Sequence, residues 1–230
     1  MTLQQTLQAL RKKGSQRTID GMKRFGIDSV DAFGVSAPDI RMIAKQITRD
    51  HALALSLWET DIHEARILAV LIAEPERATL SLMDSWTREM RNWAQCDAAC
   101  GEYFQRTRFA ETLPERWCRQ PKEFVRRAGF VMMAAMAVHH KQMDDSTFED
   151  FFPLIIEYSI DERNFVRKGV NWALRQIGKR NIRLHKKAIA LSKEIQNIPS
   201  PTAKWIATDA LRELNDPKTI ALVLRRKGVL

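Results

Sequence analysis

The chain alternates apolar and polar residues with the period of an amphipathic α-helix along almost its whole length. Leu3, Leu7 and Leu10 recur at intervals of three and four, and this first run ends in a basic turn at Gly14. Residues 40–47 repeat the same spacing after a loop that offers a serine cap and a proline. Both patterns predict helices that bury one face and expose the other.

Further helix starts are predicted where a polar residue or a proline precedes an apolar stripe. They fall near Asp61, Glu74, Pro121, Thr147, Arg163 and Thr202. No segment sustains the period of two that a half-buried strand requires. The sequence therefore predicts an all-α fold.

Two helical segments in the second half of the chain resemble each other. Residues 124–131 read FVRRAGFV and residues 165–172 read FVRKGVNW, 41 residues later, and a weaker echo follows at residues 202–207. A period near 40 residues in helical sequence is typical of HEAT-like or armadillo-like solenoids, in which helix pairs stack. We therefore expect a solenoid of this kind with a concave basic face.

The predicted domain organisation follows from this repeat. A single α-helical repeat domain is expected over residues 1–230, with an N-terminal helical segment (1–30), HEAT-like repeats (31–215) and a C-terminal tail (216–230). Equivalent positions in the two similar segments would lie at similar depths in the concave face. They are occupied by Arg126, Arg127, Arg167 and Lys168. The alternative is that such arginines pack against the neighbouring repeat.

The charge of the chain indicates which kind of partner it binds. The chain has 37 Lys+Arg against 28 Asp+Glu, a formal net charge of +9. Ten basic residues lie between positions 163 and 193 without one acidic residue among them. Because a solvated helix face usually mixes both signs, this block predicts a surface for a polyanion, and double-stranded DNA is the expected partner. The residues expected to contact it are Arg126, Arg167, Lys168, Arg175, Lys179, Arg180 and Arg183.

Composition excludes several classes of protein. The chain is 45% hydrophobic, which excludes intrinsic disorder, and its 9 Gly and 8 Pro are too few for many short strands. Cys96, Cys100 and Cys118 are an odd number for a disulfide-built secreted fold. The N-terminus lacks the apolar core of a signal peptide, and the longest apolar run, residues 130–138, is too short to span a membrane. We expect buried thiols in a cytoplasmic protein without a membrane partner.

Motifs of several enzyme classes are missing from the sequence. It contains no Gly-rich phosphate loop, HExxH, GxSxG or CxxC motif. Their absence argues against nucleotide hydrolysis, zinc proteolysis and serine hydrolysis. The cysteines and histidines do not have the spacing of metal ligands, so neither a metal nor another cofactor is expected.

The most informative local pattern is RNWAQCD at residues 91–97, which places Trp93 and Asp97 four residues apart. On a helix both side chains project from one face. The face of an indole attracts a cation and a carboxylate stabilises it, so the pair suits a developing positive charge. The alternative is a core tryptophan beside an aspartate that caps a helix or forms a salt bridge. A core position is the only interpretation for Trp58, Trp86, Trp117 and Trp205.

Five short motifs follow one another in a fixed order. They are GVSAPDIR at 34–41, Trp58 followed by HEAR at 63–66, WAQCD at 93–97, FVRR at 124–127 and RKGVNWALR at 167–175. None is specific alone. Together, their order and spacing resemble the DNA alkylation repair family, the AlkD-like DNA glycosylases, over roughly residues 30–215.

This resemblance implies HEAT-like repeats and an enzyme that removes positively charged alkylated purines, such as 3-methyladenine and 7-methylguanine, from duplex DNA without a cofactor. By motif position, the family's catalytic aspartate corresponds to Asp97, and its two sugar-facing tryptophans correspond to Trp93 and Trp172. Its phosphate-facing arginine corresponds to Arg127, with Arg126 as the alternative. The implied role of Asp97 is to stabilise an oxocarbenium-like sugar and to position water.

Two other functions stay open. A relative without excision activity would bind damaged or branched DNA by its shape, and a HEAT-type scaffold would use its basic face for acidic proteins. The complete set of Asp97, Trp93, Trp172 and Arg127 favours the enzyme over the first alternative. The unmixed basic block favours DNA over the second. We expect the protein to act as a monomer without an obligate protein partner.

Overall fold

A computed structural model describes residues 1–27 and 30–225 of the chain. These residues form α-helices joined by loops and short 3-10 and π-helical turns, and they contain no strand. No helix among them is long and apolar enough to cross a membrane. The chain divides into two compact units, Met1–Phe109 and Ala110–Leu230. The all-α fold is as predicted, while the single repeat domain stays a prediction.

The first unit contains seven α-helices in its described part. Their bounds are α1 Leu3–Lys13, α2 Gln16–Arg24, α3 Ala37–Ile47, α4 His51–Trp58, α5 His63–Ile72, α6 Leu80–Glu89 and α7 Trp93–Ala98. A 3-10 turn, Pro75–Arg77, precedes α6, and a π-helical turn, Ala99–Tyr103, follows α7. A second 3-10 turn, Phe104–Arg106, comes next.

Polar caps and one glycine determine how the GVSAPDIR segment enters α3. The Ser36 Oγ accepts a hydrogen bond from the backbone N–H of Asp39 at 3.3 Å, as the sequence predicts for a helix cap. Gly34 has a φ of 75°, in the left-handed region. A Cβ at this position would lie 2.4 Å from the carbonyl oxygen of Ser15. The turn therefore needs a glycine for both its conformation and its space.

The core of the first unit is built around stacked aromatic rings. Trp58 and Trp86 are both buried, with ring centroids 4.3 Å apart and planes only 6° from parallel. Tyr103 packs against Trp86 at 5.6 Å, and burial raises the pKa of Tyr103 to about 12. Such aromatic pairs contribute about 0.5–1.5 kcal/mol beyond the area that they bury. The predicted core positions of Trp58 and Trp86 are confirmed.

The second unit contains eight α-helices within its described residues. Their bounds are α8 Leu113–Cys118, α9 Glu123–His139, α10 Asp145–Glu149, α11 Phe152–Glu157, α12 Asn164–Gly178, α13 Ile182–Gln196, α14 Pro201–Leu214 and α15 Pro217–Arg225. A 3-10 turn, Tyr158–Ile160, follows α11. Helix α15 lies within the segment predicted as a C-terminal tail, and residues 226–230 of that tail lie outside the described residues.

The three similar sequence segments form the beginnings of α9, α12 and α14. Helix α12 packs against both of the others. Side chains contact partners 38 residues further along the chain: Arg127 Nη1 donates to the carbonyl oxygen of Phe165 at 2.8 Å, and Asn171 Nδ2 donates to Asp209 Oδ2 at 2.6 Å. The repeat seen in the sequence is thus a repeat of helices in the structure.

A close helix contact supports the start of this stack. Gly129 on α9 faces Cys118 on α8, and a Cβ at Gly129 would lie 2.5 Å from its Sγ and 2.6 Å from its backbone nitrogen. Trp117 on α8 is buried, as predicted. Only a residue without a side chain lets the two helices approach this closely.

Candidate active site

The start of α7 is held by a polar network. The Asn92 Oδ1 accepts the backbone N–H of Gln95 at 3.1 Å, and the Gln95 Oε1 accepts the backbone N–H of Arg91 at 3.0 Å. The Nδ2 of Asn92 lies 3.3 Å from the Nδ1 of His63 on α5, where both side chains are buried. Trp93 is the first residue of the helix that this network caps.

Trp93 and Asp97 lie one turn apart on α7 and line the same cavity, which has a volume of about 450 Å³. The Nε1 of Trp93 donates a hydrogen bond to the carbonyl oxygen of Phe25 at 2.9 Å, which restrains the ring. Both side chains are half-buried. As the spacing predicts, an aromatic ring and a carboxylate share one face of a helix.

The rest of the cavity wall is mostly apolar and comes from α2, α3, α5, α7 and the loop residues between α2 and α3. Its apolar side chains include Met22, Ile27, Val35, Ile40, Ile67 and Leu71. Glu102 also lines it, and its charge is offset by Arg41 at an N–O distance of 2.8 Å. A largely apolar wall lowers the local dielectric, which strengthens the attraction between the Asp97 carboxylate and a cation.

The helix widens soon after Asp97. Residues Ala99–Tyr103 form the π-helical turn, and Ala99, Cys100 and Tyr103 within it are buried. Helix α5 packs against this turn. Turns of this kind are rare and occur frequently at functional sites. The buried turn holds the chain after Asp97, as the Asn92 cap holds it before Trp93.

The HEAR motif at residues 63–66 builds the support of this site. Glu64 is fully buried, and its two carboxylate oxygens accept backbone N–H groups. The donors are Phe33 at 2.9 Å, Gly34 at 2.7 Å and Val35 at 3.0 Å. Glu64 therefore fixes the loop before α3, which contributes Val35 to the cavity wall.

Arg66 completes the same motif from a buried position. Its Nε donates to the carbonyl oxygen of Trp58 at 3.2 Å, and its Nη1 donates to the carbonyl oxygen of Glu89 at 2.9 Å. An ion pair with Asp61 at 2.7 Å adds a third anchor. Burial lowers the pKa of Arg66 from its ordinary value. The sequence signal for the structural roles of Glu64 and Arg66 is a charged residue inside an otherwise apolar helix.

In the second unit, the two candidate phosphate-facing arginines hold neighbouring elements. Arg127 is only 5% exposed and bonds the carbonyl oxygen of Phe165 at the start of α12. Arg126 donates to the carbonyl oxygen of Cys118 and to Asp161 Oδ2, both at 2.9 Å. The packing alternative that the sequence left open therefore describes both side chains.

Asp161 is the centre of an ion-pair cluster before α12. It accepts hydrogen bonds from Arg126 on α9 and from Arg163, whose Nη2 lies 2.5 Å from Oδ2. Burial alone would raise the pKa of Asp161, but the hydrogen bonds from Arg163 and Arg126 outweigh it and lower that pKa. The cluster ties the end of one repeat to the beginning of the next.

Trp172 lies in the middle of α12 and is half-buried. With the Gln176 side-chain oxygen turned toward the indole, Trp172 Nε1 donates to it at 2.9 Å. Lys168, four residues earlier and on the same helix face, is exposed. An aromatic ring and a cation on one face suit a sugar and its adjoining phosphate.

Acidic residues from another helix offset part of the basic block. Arg175 forms ion pairs with Asp209, at 3.4 Å, and with Glu213 on α14. Lys179 also pairs with Glu213. These partners lie more than thirty residues away in sequence, so the unmixed sign along the chain does not persist in space.

Arg180 has a structural role. It is 7% exposed, and its guanidinium donates to the carbonyl oxygens of Ala137 at 3.4 Å, Lys141 at 3.1 Å and Met143 at 2.6 Å. Burial lowers the pKa of Arg180 from its ordinary value. These bonds hold the end of α9 and the loop that follows it, so the Arg180 guanidinium serves the fold and does not face DNA as the sequence predicted.

Other predicted DNA contacts are more accessible. Lys168 is exposed, and the side chain of Arg183 is 62% exposed although it pairs with Glu149 at 3.0 Å. Arg167 is half-buried beneath Trp205, whose ring centroid lies 5.0 Å from its Cζ. Trp205 itself is exposed, so its predicted core position is wrong. The ring stacks on the Arg167 guanidinium instead of entering the apolar core.

The structure places the predicted site residues in two groups. Trp93 and Asp97 share α7 in the first unit, whereas Arg127 and Trp172 belong to the second unit. In residues 1–27 and 30–225, no group of three or more His, Cys, Asp or Glu side chains could hold a metal ion. The three cysteines are buried free thiols, as predicted.

Comparisons with known proteins agree with the predicted fold. A family described as DNA alkylation repair enzyme matches residues 6–217. An uncharacterized protein of Listeria innocua is 22% identical over 174 residues, covering 74% of this chain and 75% of that protein. A solved structure matches this chain with a TM-score of 0.78 and 20% sequence identity, and the match covers 92% of this chain and 95% of the chain in that structure. It is described as a new family related to the HEAT-like repeat DNA glycosylases, with affinity for branched DNA structures. The predicted HEAT-like fold is confirmed.

Proposed function

Because the chain belongs to the DNA alkylation repair enzyme family, we propose that it is a DNA glycosylase for positively charged alkylated purines in duplex DNA, such as 3-methyladenine and 7-methylguanine. The observation that carries the proposal is the pairing of Trp93 and Asp97 on one wall of an apolar cavity. Family membership supports DNA repair, and this pair supports the chemistry.

The bond to be broken joins the purine to the anomeric carbon of the sugar. An N-alkylated purine is already a cation, so it takes the bonding electron pair and leaves as a neutral base without a general acid. The sugar is left with oxocarbenium-like charge, for which Asp97 supplies an anion and Trp93 an electron-rich face. Asp97 also accepts a proton from the water whose oxygen bonds to the anomeric carbon.

The second unit has DNA-binding groups of its own in this proposal. Trp172 offers an aromatic face, and Lys168, one turn earlier on the same helix face, offers a phosphate contact. Arg127 acts as a positioning residue because its guanidinium holds the start of α12 through Phe165. Action as a monomer in the cytoplasm stays a prediction.

The test is the release of 7-methylguanine from methylated duplex DNA by wild type and by Asp97→Asn. We expect the substitution to lower the excision rate by about 10²–10³-fold, the size of effect seen when a preorganised electrostatic group is removed. Binding to unmodified duplex should be nearly unchanged. Asp144→Asn, at an exposed carboxylate, is the control. Equal release by wild type and Asp97→Asn would remove Asp97 from the mechanism.

A non-catalytic reader of branched DNA is the second candidate. The solved structure that covers 92% of this chain belongs to a family described as having affinity for such DNA. The same assay separates the two candidates. Release by wild type supports the glycosylase, whereas no release together with tight, salt-sensitive binding to a DNA junction supports the second candidate.

A further inference from the structure

Trp205 is the most exposed of the six tryptophans. It is 38% exposed, whereas Trp58, Trp86 and Trp117 are buried in the cores of the units. Its indole N–H has no hydrogen-bond partner among residues 1–27 and 30–225. Leaving so much aromatic surface in water forgoes the free energy that burial would recover. Tryptophans in such positions are enriched where proteins bind their partners.

A cation from the neighbouring helix covers part of the Trp205 ring. The Arg167 Cζ lies 5.0 Å from the ring centroid, and Arg167 Nη2 donates to Asn164 Oδ1 at 3.2 Å. Neither contact is anionic, and Arg167 Nε is buried without a hydrogen-bond partner in the described chain. Within the described ranges 1–27 and 30–225, no carboxylate forms an ion pair with the Arg167 guanidinium at this ring.

The contacts between α12 and α14 change character along the two helices. Two turns after Arg167, Arg175 meets Asp209 and Glu213, so its charge is offset within the protein. At the N-terminal end of α12, Arg167 contacts the aromatic ring of Trp205 and not a carboxylate. The charge is therefore left available at only one end of this helix pair.

Two exposed lysines are the sequence neighbours of the stacked pair. Lys168 follows Arg167 in α12, and Lys204 precedes Trp205 in α14. Neither lysine forms an ion pair with another residue that the structure describes. We call Arg167, Trp205 and these two sequence neighbours the α12–α14 patch, a set of three positive charges and one accessible ring on two packed helices.

We propose that the α12–α14 patch binds an unpaired nucleobase of DNA, which stacks on Trp205 while the three cations hold the adjoining phosphates. Exposed rings among cations are the means by which proteins bind single strands, since every base has a face that can stack. A base within a duplex has both faces covered by its neighbours. The patch would therefore act at a single-stranded tail, a gap or a branch. The inference rests on the DNA-binding part of the proposed function and is independent of Asp97.

The test compares three labelled DNAs: an oligothymidine, a blunt duplex, and the same duplex with a single-stranded tail. Fluorescence anisotropy gives the dissociation constant of each. We expect Trp205→Ala to weaken binding to the oligothymidine and to the tailed duplex by about 10-fold or more. Binding to the blunt duplex should stay within about twofold, because paired bases do not reach the ring. Trp205→Phe should restore most of the loss, since a smaller ring still stacks.

Two controls separate stacking from other effects. Ile220→Ala removes an exposed apolar side chain from α15, and Lys193→Ala removes an exposed charge from α13. Neither should distinguish single-stranded from blunt DNA. An equal loss on all three DNAs in Trp205→Ala would overturn the proposal in favour of a general phosphate surface. No loss on any of them would overturn it in favour of a ring that contacts no DNA.

Excision activity reports on the proposed function separately. Trp205→Ala should release 7-methylguanine from a blunt methylated duplex at the wild-type rate. Failure of wild type to release the base, with stacking intact, would overturn the glycosylase proposal alone. Release of 7-methylguanine by wild type, together with single-strand binding by Trp205→Ala equal to that of wild type, would overturn the stacking proposal alone. Wild type that binds none of the three DNAs would overturn both.

Discussion

At the scale of single residues, three carboxylates show how surroundings decide what a side chain does. Asp97 lines a cavity of about 450 Å³ beside an aromatic ring. Glu64 is sealed from water and accepts three backbone N–H groups. Asp161 is held by two arginines. Asp97 is therefore suited to bind a ligand, whereas Glu64 and Asp161 are suited to hold neighbouring segments of the chain in place.

Glu64→Gln tests the structural role of the buried carboxylate. Glutamine has nearly the same size, but one of its two terminal atoms is an NH₂ donor, which would face backbone donors. A buried N–H without an acceptor costs about 1–3 kcal/mol, so the free energy of unfolding should fall by about 2 kcal/mol. Urea unfolding measures this change, and Glu59→Gln, at an exposed position, should shift it by less than about 0.5 kcal/mol. Equal effects of the two substitutions would contradict the role given to Glu64.

Sequence reasoning finds some of these roles and misses others for a physical reason. The shared face of Trp93 and Asp97 follows from a four-residue spacing within one helix, which is local information. The partners of Glu64 are backbone groups about thirty residues away. A motif shows that Glu64 belongs to a pattern, but only the folded chain shows what it binds.

At the scale of helices, an apolar periodic pattern is a better guide than a start signal such as a proline alone. The starts expected near Pro121, Arg163 and Thr202 lie within two residues of those of α9, α12 and α14. The start expected near Glu74 is wrong, because Pro75–Arg77 forms only a 3-10 turn and Ala78 returns to an extended conformation. A proline can begin a turn, but the residues that follow decide whether the helix continues.

The cluster at Asp161 predicts how the link between α9 and α12 responds to pH. Its carboxyl has a folded-state pKa below the ordinary 3.8, so its contribution to stability is present above that value. The contribution is lost as the pH falls through the lower, folded-state pKa. Asp161→Asn should therefore melt at a lower temperature than wild type at neutral pH, and the gap should narrow in acid.

Thermal unfolding followed by circular dichroism across the acid range measures this gap. Asp144→Asn, at an exposed position, should follow wild type throughout. A gap that stays constant as the pH falls well below 3.8 would show that Asp161 supports the fold without its charge.

At the scale of the whole molecule, charge along the chain differs from charge in space. The block between positions 163 and 193 has no acidic residue, which predicts a surface for a polyanion. In the structure, α10 and α14 supply carboxylates to Arg183, Arg175 and Lys179. The net charge of +9 is unchanged, but it is concentrated on fewer accessible side chains than the sequence predicts.

This difference makes two substitutions in α12 distinguishable. Lys168→Ala removes an exposed charge, so the slope of log binding constant against log salt concentration should flatten by about one unit. Arg175→Ala removes a charge already paired with Asp209 and Glu213, so it should lower the melting temperature and leave the salt slope nearly unchanged. Duplex binding across a salt series measures the slopes. A flatter slope for Arg175→Ala than for Lys168→Ala would reverse the assignment.

The burial of the three cysteines affects how well the protein resists chemical damage. Reagents that alkylate purines also react with thiolates, because the thiolate is a strong nucleophile. Cys96, Cys100 and Cys118 are all enclosed, and burial raises the pKa of Cys118 well above its ordinary value, which keeps it as the less reactive thiol. Burial thus protects the three cysteine thiols from alkylating agents, which form the damaged purines that we propose the protein removes.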